Sequence, residues 1–217
     1  LILYIIIYIS IVFAKYMQGF FFGFIFTYIL LKAIIPLLLV HAPDKPNKRS
    51  SHNITTPGSG GISFILPTLI FALLQKNFEW FMCLPIAIVG VIDDRIKLSA
   101  SIRYIAQLLT VYLIISNTVL INYSLVGILD YLSILFLLVF GTAIINFVNF
   151  MDGVDGLVSG CFSFILLYAS LNFQNSLFSL TASLFAFLIF NWQPAKVFMG
   201  DVGSTFLGAA LVIIIYS

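Results

Sequence analysis

Charge is what this sequence has least of. Eight per cent of its 217 residues are Asp, Glu, Lys or Arg, against roughly 25% in an average soluble domain. With 62% hydrophobic residues, the chain reads as an integral membrane protein. Alternation of polar and apolar residues is missing as well; the apolar stretches are continuous, which excludes a β-barrel. The ten Lys and Arg are scattered and form no basic stripe, so nothing points to nucleic acid. Cysteine is scarce: Cys83 and Cys161 lie far apart inside apolar runs and read as small buried apolar residues, with no disulfide or metal site. The opening residues lack the basic start and small-residue cleavage site of a secretory signal. They read as membrane-spanning.

What is present is a succession of apolar runs. A transmembrane helix takes about 20 residues, so seven or eight spans would use most of the chain. The expected fold is all-α, a polytopic helical membrane protein of about eight transmembrane helices. The first span is expected over about Gln18–Leu38, after an apolar extension that could itself cross. Further runs are read at 62–74, 80–92, 103–116, 131–145, 158–171 and 177–190, with an eighth from Thr205. Leu1 in place of Met, and an apolar run cut at Ser217, are what a piece of a longer protein would show.

Four polar clusters, at 41–61, 93–103, 146–156 and 191–204, are each separated from the next by two apolar runs. All four therefore face one side of the membrane. Lys45, Lys48, Arg49, Arg95, Lys97, Arg103 and Lys196 lie on it, whereas the opposite turns contribute Lys76, and the positive-inside rule makes it the cytoplasmic face. Six of the eight acidic residues (Asp44, Asp93, Asp94, Asp152, Asp155, Asp201) share it. Glu79 and Asp130 fall in the opposite turns and read as solvated, and Lys32 reads as a snorkelling residue near a helix end.

Carboxylates at a membrane boundary are costly unless water, a metal or a ligand satisfies them. Adjacent Asp93 and Asp94 repel unless a cation compensates them. Mixed acid and base on one face suits a polyanion held with a divalent metal, and Mg²⁺ takes a few protein oxygens and shares the rest with phosphate. Helices starting after Asp155-Gly156 and after Asp201-Val202-Gly203-Ser204 would point N–H groups at bound phosphate. Gly153, Gly156, Gly200 and Gly203 would let a ligand approach the backbone.

Four segments, D-K-P-N-K-R-S-S-H with T-P-G-S-G-G, V-G-V-I-D-D-R-I-K-L-S with Arg103, N-F-V-N-F-M-D-G-V-D-G-L, and P-A-K-V-F-M-G-D-V-G-S-T-F-L-G, resemble the polyprenyl-phosphate N-acetylhexosamine-1-phosphate transferase family. They occur in that family's order, and the P-N-K-R-S-S-H form resembles the initiators of O-antigen and teichoic acid more than the peptidoglycan translocase. Where many relatives carry a basic residue in T-P-R-G-G-G, this chain has Gly58 and Ser59.

The resemblance implies a cytoplasm-facing cleft in the bacterial inner membrane, where a UDP-N-acetylhexosamine meets undecaprenyl or another polyprenyl phosphate. It implies Mg²⁺, with Mn²⁺ as an alternative, held by Asp201 and Asn149. Asp155 would contact uracil and Phe198 would stack on it. Asp93 would stand beside the attacking lipid phosphate, with Asp94, Lys97 and Asp152 lining the site. Arg49, His52 and Arg103 are candidate phosphate contacts; for Arg49 and His52 a role in fixing topology is the alternative. The family continues through further helices and a His-rich loop, while the histidines here are His41 and His52. Residues 1–217 are therefore expected to form one transferase domain without those parts, and monomer and homodimer both stay open.

Two other classes stay open. An intramembrane prenyltransferase also uses Asp and Mg²⁺, but through paired D-x-x-x-D motifs where this chain has D-D, D-x-x-D and M-G-D. An ion-coupled transporter would place its acids near mid-membrane, between broken helices.

Overall fold

The computed structural model describes residues 2–46, 54–118, 128–172 and 177–217. Eight α-helices follow one another among the described residues: α1 Ile2–His41, α2 Ile62–Leu74, α3 Leu84–Ile96, α4 Ala100–Thr118, α5 Ile128–Met151, α6 Leu157–Asn172, α7 Phe178–Asn191 and α8 Gly200–Tyr216. A ladder of two-residue strands, β1 Pro43–Asp44 against β2 Thr56–Pro57, sits in the first polar segment. The protein is an all-α helical membrane protein.

Length departs from expectation more than number does. Two segments, Tyr16–His41 and Tyr131–Met151, are long and apolar enough to cross a membrane, whereas α2, α6, α7 and α8 are apolar but shorter than the about 20 residues a full span takes. The extension before Gln18 continues α1 without a break, so it is not a separate crossing. The third run begins as a 3₁₀ turn, Glu79–Cys83, before α3 starts with Pro85 in its first turn. Proline is tolerated there because the N–H it lacks would have no partner in the helix.

The outward faces are those of a protein solvated by lipid. Only 22% of the Tyr16–His41 and Tyr131–Met151 windows is buried, although both have a mean hydropathy of 2.3. Phe136, Phe147 and Phe150 on α5 point outward, an arrangement that water would penalise and acyl chains do not. Cys161 is exposed on α6, which corrects its reading as a buried residue; Cys83 is buried as read. Glu79 is half-buried, not freely solvated, and its Oε2 has no hydrogen-bond partner among the described residues. The Lys32 ammonium lies 4.6 Å from the centre of the Tyr28 ring, which suits a snorkelling residue.

Inside, α8 is the central post, packed by α3, α4 and α5, while α7 packs against α1, α2 and α6. Phe64 on α2 joins the two groups, with its ring 5.3 Å from that of Phe187 on α7 and 6.5 Å from that of Phe206 on α8. Close approach is written into two glycines. A Cβ on Gly90 of α3 would run into the backbone of Val202, and one on Gly203 of α8 would meet Met199 and Gly61. Gly203 thus serves helix packing, not ligand approach.

Gly90→Ala is therefore expected to push α3 away from α8, because the obstructing atoms are backbone and cannot rotate aside. A loss of about 1–3 kcal/mol is the ordinary cost of such overpacking. Thermal unfolding of the purified protein in detergent measures it, and an unchanged transition would show that the two helices have slack at this crossing.

Candidate active site

The last turns of α3 and α5, the first turn of α8 and the turns at 42–45, 58–59, 152–155 and 198–200 surround one polar cleft of about 790 Å³. The parity argument is met: all four polar clusters contribute to it. Arg49 and His52 lie outside the described residues, and the other nine candidate residues line this cleft.

Three polar groups that follow the ends of the apolar runs read at 80–92 and 131–145 are helical. Asp93 and Asp94 belong to the last turn of α3, and Asn149 to the last turn of α5. Asn146 and Asn149, three residues apart, share one face of that helix. The first turn of α8 begins at Gly200, not after Ser204, so Asp201 sits within the helix N-terminus and not ahead of it.

Each carboxylate has specific partners. Asp93 is buried; its Oδ1 accepts the Leu98 N–H, and its Oδ2 lies 3.4 Å from Nη1 of Arg103. That bond holds the tight turn in which Lys97 takes a left-handed φ of 48°, an unfavourable region for a side chain. Lys97 is exposed at the cleft. Asp94 accepts the hydroxyl of Ser59 on Oδ2 at 2.7 Å and the N–H of Asp201 on Oδ1 at 2.7 Å. The α8 N-terminus, expected to face phosphate, is thus already met by a carboxylate. The Asp201 side chain is in hydrogen-bonding contact with Asp93 and Asn149. Asn149 Oδ1 accepts the Ser204 hydroxyl at 2.5 Å and keeps a second lone pair. Asp155 Oδ2 accepts the Ala195 N–H at 3.0 Å, tying the turn after α5 to the loop before α8. Phe198 lies half-buried in the wall of the cleft.

Asp152 stands in the turn after α5. Burial, with the negative charges of Asp201 and Asp94, pushes its carboxyl up to about 8. Its proton is held more tightly in the folded chain than in the unfolded one, and its ionisation opposes folding.

A second cavity, about 470 Å³, lies between α3, α4, α5 and α8. Its wall includes Ile86, Val89, Gly90, Ala100 and Tyr104, and it shares Asp93, Arg103, Asn149 and Asp201 with the polar cleft. The two spaces meet at these four residues.

Several organising contacts are not legible in the sequence. Ser59 belongs to the T-P-G-S-G-G segment, but its contact with Asp94 is not foreseen there. Gln107 of α4 and Asn146 of α5 exchange paired amide bonds of 2.9 and 2.8 Å beside the second cavity; a lone Gln within an apolar run was the available signal. Buried Asn191 accepts the Ser159 hydroxyl at 2.6 Å and donates to the Val197 carbonyl at 3.0 Å, which shapes the loop into α8.

A helical membrane bundle with an oxygen-rich acidic cleft at one end, continuous with a space between its helices, defines the class. The chain belongs to the family described as glycosyl transferase family 4, whose sequence profile matches residues 78–217. It is 35% identical over 169 residues to an undecaprenyl-phosphate alpha-N-acetylglucosaminyl 1-phosphate transferase of Thermotoga maritima, covering 77% of this chain and 54% of the relative. A probable undecaprenyl-phosphate N-acetylglucosaminyl 1-phosphate transferase of Bacillus subtilis is 27% identical over 211 residues, 87% of this chain and 59% of its own. A phospho-N-acetylmuramoyl-pentapeptide-transferase of Latilactobacillus sakei is 34% identical over 190 residues, 72% of this chain and 59% of its own. The chain spans somewhat more than half the length of these relatives.

The raised Asp152 carboxyl sets a pH dependence. Its contribution favours folding below the ordinary carboxylate pKa near 3.8 and is lost as pH rises toward about 8. In chelator-treated protein, Asp152→Asn should raise the Tm at pH 8, by about 2–4 °C if the relief is near 1 kcal/mol, and leave it unchanged at about pH 3, below the unfolded carboxyl's pKa. Scanning calorimetry at the two pH values checks this, and equal shifts at both would remove ionisation as the cause.

Proposed function

We propose that this protein transfers an N-acetylhexosamine 1-phosphate from a UDP-sugar to undecaprenyl or another polyprenyl phosphate, releasing UMP, at the cytoplasmic face of a bacterial inner membrane. The observation that carries the reading is the meeting of two unlike spaces at Asp93, Arg103, Asn149 and Asp201. A water-soluble nucleotide sugar suits the larger polar cleft. An acceptor whose tail is hydrocarbon suits an approach from between helices, and the reacting phosphates of both must come together where the spaces join. The relatives, undecaprenyl-phosphate N-acetylglucosaminyl 1-phosphate transferases and a phospho-N-acetylmuramoyl-pentapeptide-transferase, support the same class of reaction.

In this reading an oxygen of the lipid phosphate attacks the β-phosphorus of the UDP-sugar. A new P–O bond forms, the bond from the β-phosphorus to the bridging oxygen breaks, and UMP leaves with the electron pair. Little covalent work falls to the protein, so positioning and charge stabilisation supply the catalysis. Asp201 and Asn149 offer hard oxygens of the kind Mg²⁺ or Mn²⁺ prefers. Bound there, such a cation would offset charge developing on the leaving UMP. Lys97 and Arg103 supply positive charge at the cleft, Phe198 supplies a ring for the uracil, and Asp155 holds the turn beside it.

Asp93 need not act as a base. A phosphate monoester has a second pKa near ~6, so the nucleophile is already largely ionised at pH 7. Its bonds to Leu98 and Arg103 fit a positioning part.

Membranes containing this chain should release UMP when given undecaprenyl phosphate, Mg²⁺ and one of a panel of UDP-N-acetylhexosamines that includes UDP-N-acetylmuramoyl-pentapeptide. Asp201→Ala should lower release by at least 10²-fold, the order of effect of removing a principal charge-stabilising group. Release that ignores lipid, metal or Asp201 would sink the assignment. A second series tests Asp93→Asn: activity should fall without displacement of the acid limb of the pH profile, whereas a displaced limb would assign Asp93 as the base.

A further inference from the structure

Residues 57–61 are bound to the approach of α8 along their length. The Phe198 N–H donates to the Pro57 carbonyl at 2.8 Å, the Gly60 N–H to the Phe198 carbonyl at 2.9 Å, and the Gly61 N–H to the Met199 carbonyl at 2.9 Å. Within this strap Ser59 is 2% exposed and holds a φ of 58°, where a residue with a side chain is strained. Glycine would suit the backbone better, so the hydroxyl needs a reason to be there. It donates to Asp94 Oδ2, while Asp94 Oδ1 accepts the Asp201 N–H. The arrangement has no slack: Gly200 has a φ of 74°, and a Cβ on it would collide with Asp94 Oδ2 and the Ser59 nitrogen.

We propose that Ser59 is a positioning residue, which locks the Asp94 carboxylate against the first turn of α8 and thereby fixes where the Asp201 side chain stands in the cleft. The inference rests on the transferase reading, in which Asp201 is a cation ligand. Asp94 here acts through Asp201 and not on substrate. With both oxygens engaged, its carboxylate cannot turn about the Cβ–Cγ bond. Without the Ser59 hydroxyl the carboxylate keeps only backbone donors of α8, those of Asp201 and Val202, and loses the bond that ties it to the strap, so its orientation gains freedom. The three backbone bonds of the strap remain, so the loss falls on alignment more than on the fold.

Two variants separate alignment from support. Ser59→Gly removes the hydroxyl and relieves the positive φ; Ser59→Ala removes the hydroxyl and keeps the strain. The probe is Mn²⁺, titrated into the purified chain and followed by the loss of free-ion electron paramagnetic resonance signal, with thermal stability recorded alongside. Both variants should require about tenfold more Mn²⁺ for half-saturation, the scale of a lost hydrogen bond to a charged group, while Ser59→Gly keeps or exceeds the wild-type Tm. Half-saturation equal to wild type in both variants overturns the proposal, even if Ser59→Ala is less stable, because Ser59 would then support only the fold. If the wild-type chain itself binds no Mn²⁺, the cation assignment in the transferase reading fails and this inference fails with it. Wild-type binding matched by both variants defeats the inference alone.

Discussion

The first turn of α8 is held by a carboxylate from another helix, and the architecture of the cleft follows from that contact. Asp94 on α3 accepts the Asp201 N–H at the helix start, where unpaired N–H groups and the positive end of the helix dipole favour negative charge. Because α8 is the central post of the bundle, fixing its start fixes Asp201 relative to Asp93 on one side and Asn149 on the other. The close crossing of α3 and α8 at Gly90 and Val202 makes the same junction rigid from below. Capping and close packing thus act on one helix end.

The cost of this arrangement is electrostatic. Asp93, Asp94, Asp152 and Asp201 occupy one cleft, and only Asp93 has an ion-pair partner among the described residues, Arg103 at 3.4 Å. The strongly raised Asp152 carboxyl shows what crowding and burial do to such groups. Proteins tolerate this tension where a cation or a catalytic task relieves it, and perturbed carboxylates in a cleft are a mark of such sites. In the proposed reading the relief comes from a divalent ion shared with a polyphosphate, for which carboxylate and amide oxygens are the right donor type.

Much of this was legible in the chain. Apolar runs separated by polar clusters gave the number and order of helices, and parity alone brought 41–61, 93–103, 146–156 and 191–204 to one end. The boundaries were less legible, for a consistent reason: reading helices from hydropathy ends them at the first polar residue. Asp93, Asp94, Asn146 and Asn149 nevertheless lie within helices, because a helix continues through polar residues when they face a wet cleft or a partner such as Gln107. Ser59 could not have been found this way. Its significance comes from a contact 35 residues away with Asp94 and from a backbone angle, and neither leaves a local pattern in the sequence.

The short helices bear on how such a site can be reached. α2 and α3 have 13 residues each, and at 1.5 Å per residue each is only about 20 Å long, against a hydrocarbon core of about 30 Å. Tyr16–His41 and Tyr131–Met151 are long enough to cross it. A bundle that mixes the two lengths cannot fill the bilayer with helix at every point, and the shortfall must be met by turns, side chains and water. At the end where α3 stops, it is met by the acidic cleft. Groups brought there are within reach of both the polar cleft and the space between α3, α4, α5 and α8. The proposed transfer between a soluble nucleotide sugar and the headgroup of a membrane lipid would need a site of this kind, since one raised into bulk water would strand the lipid and one sunk to mid-membrane would exclude the nucleotide.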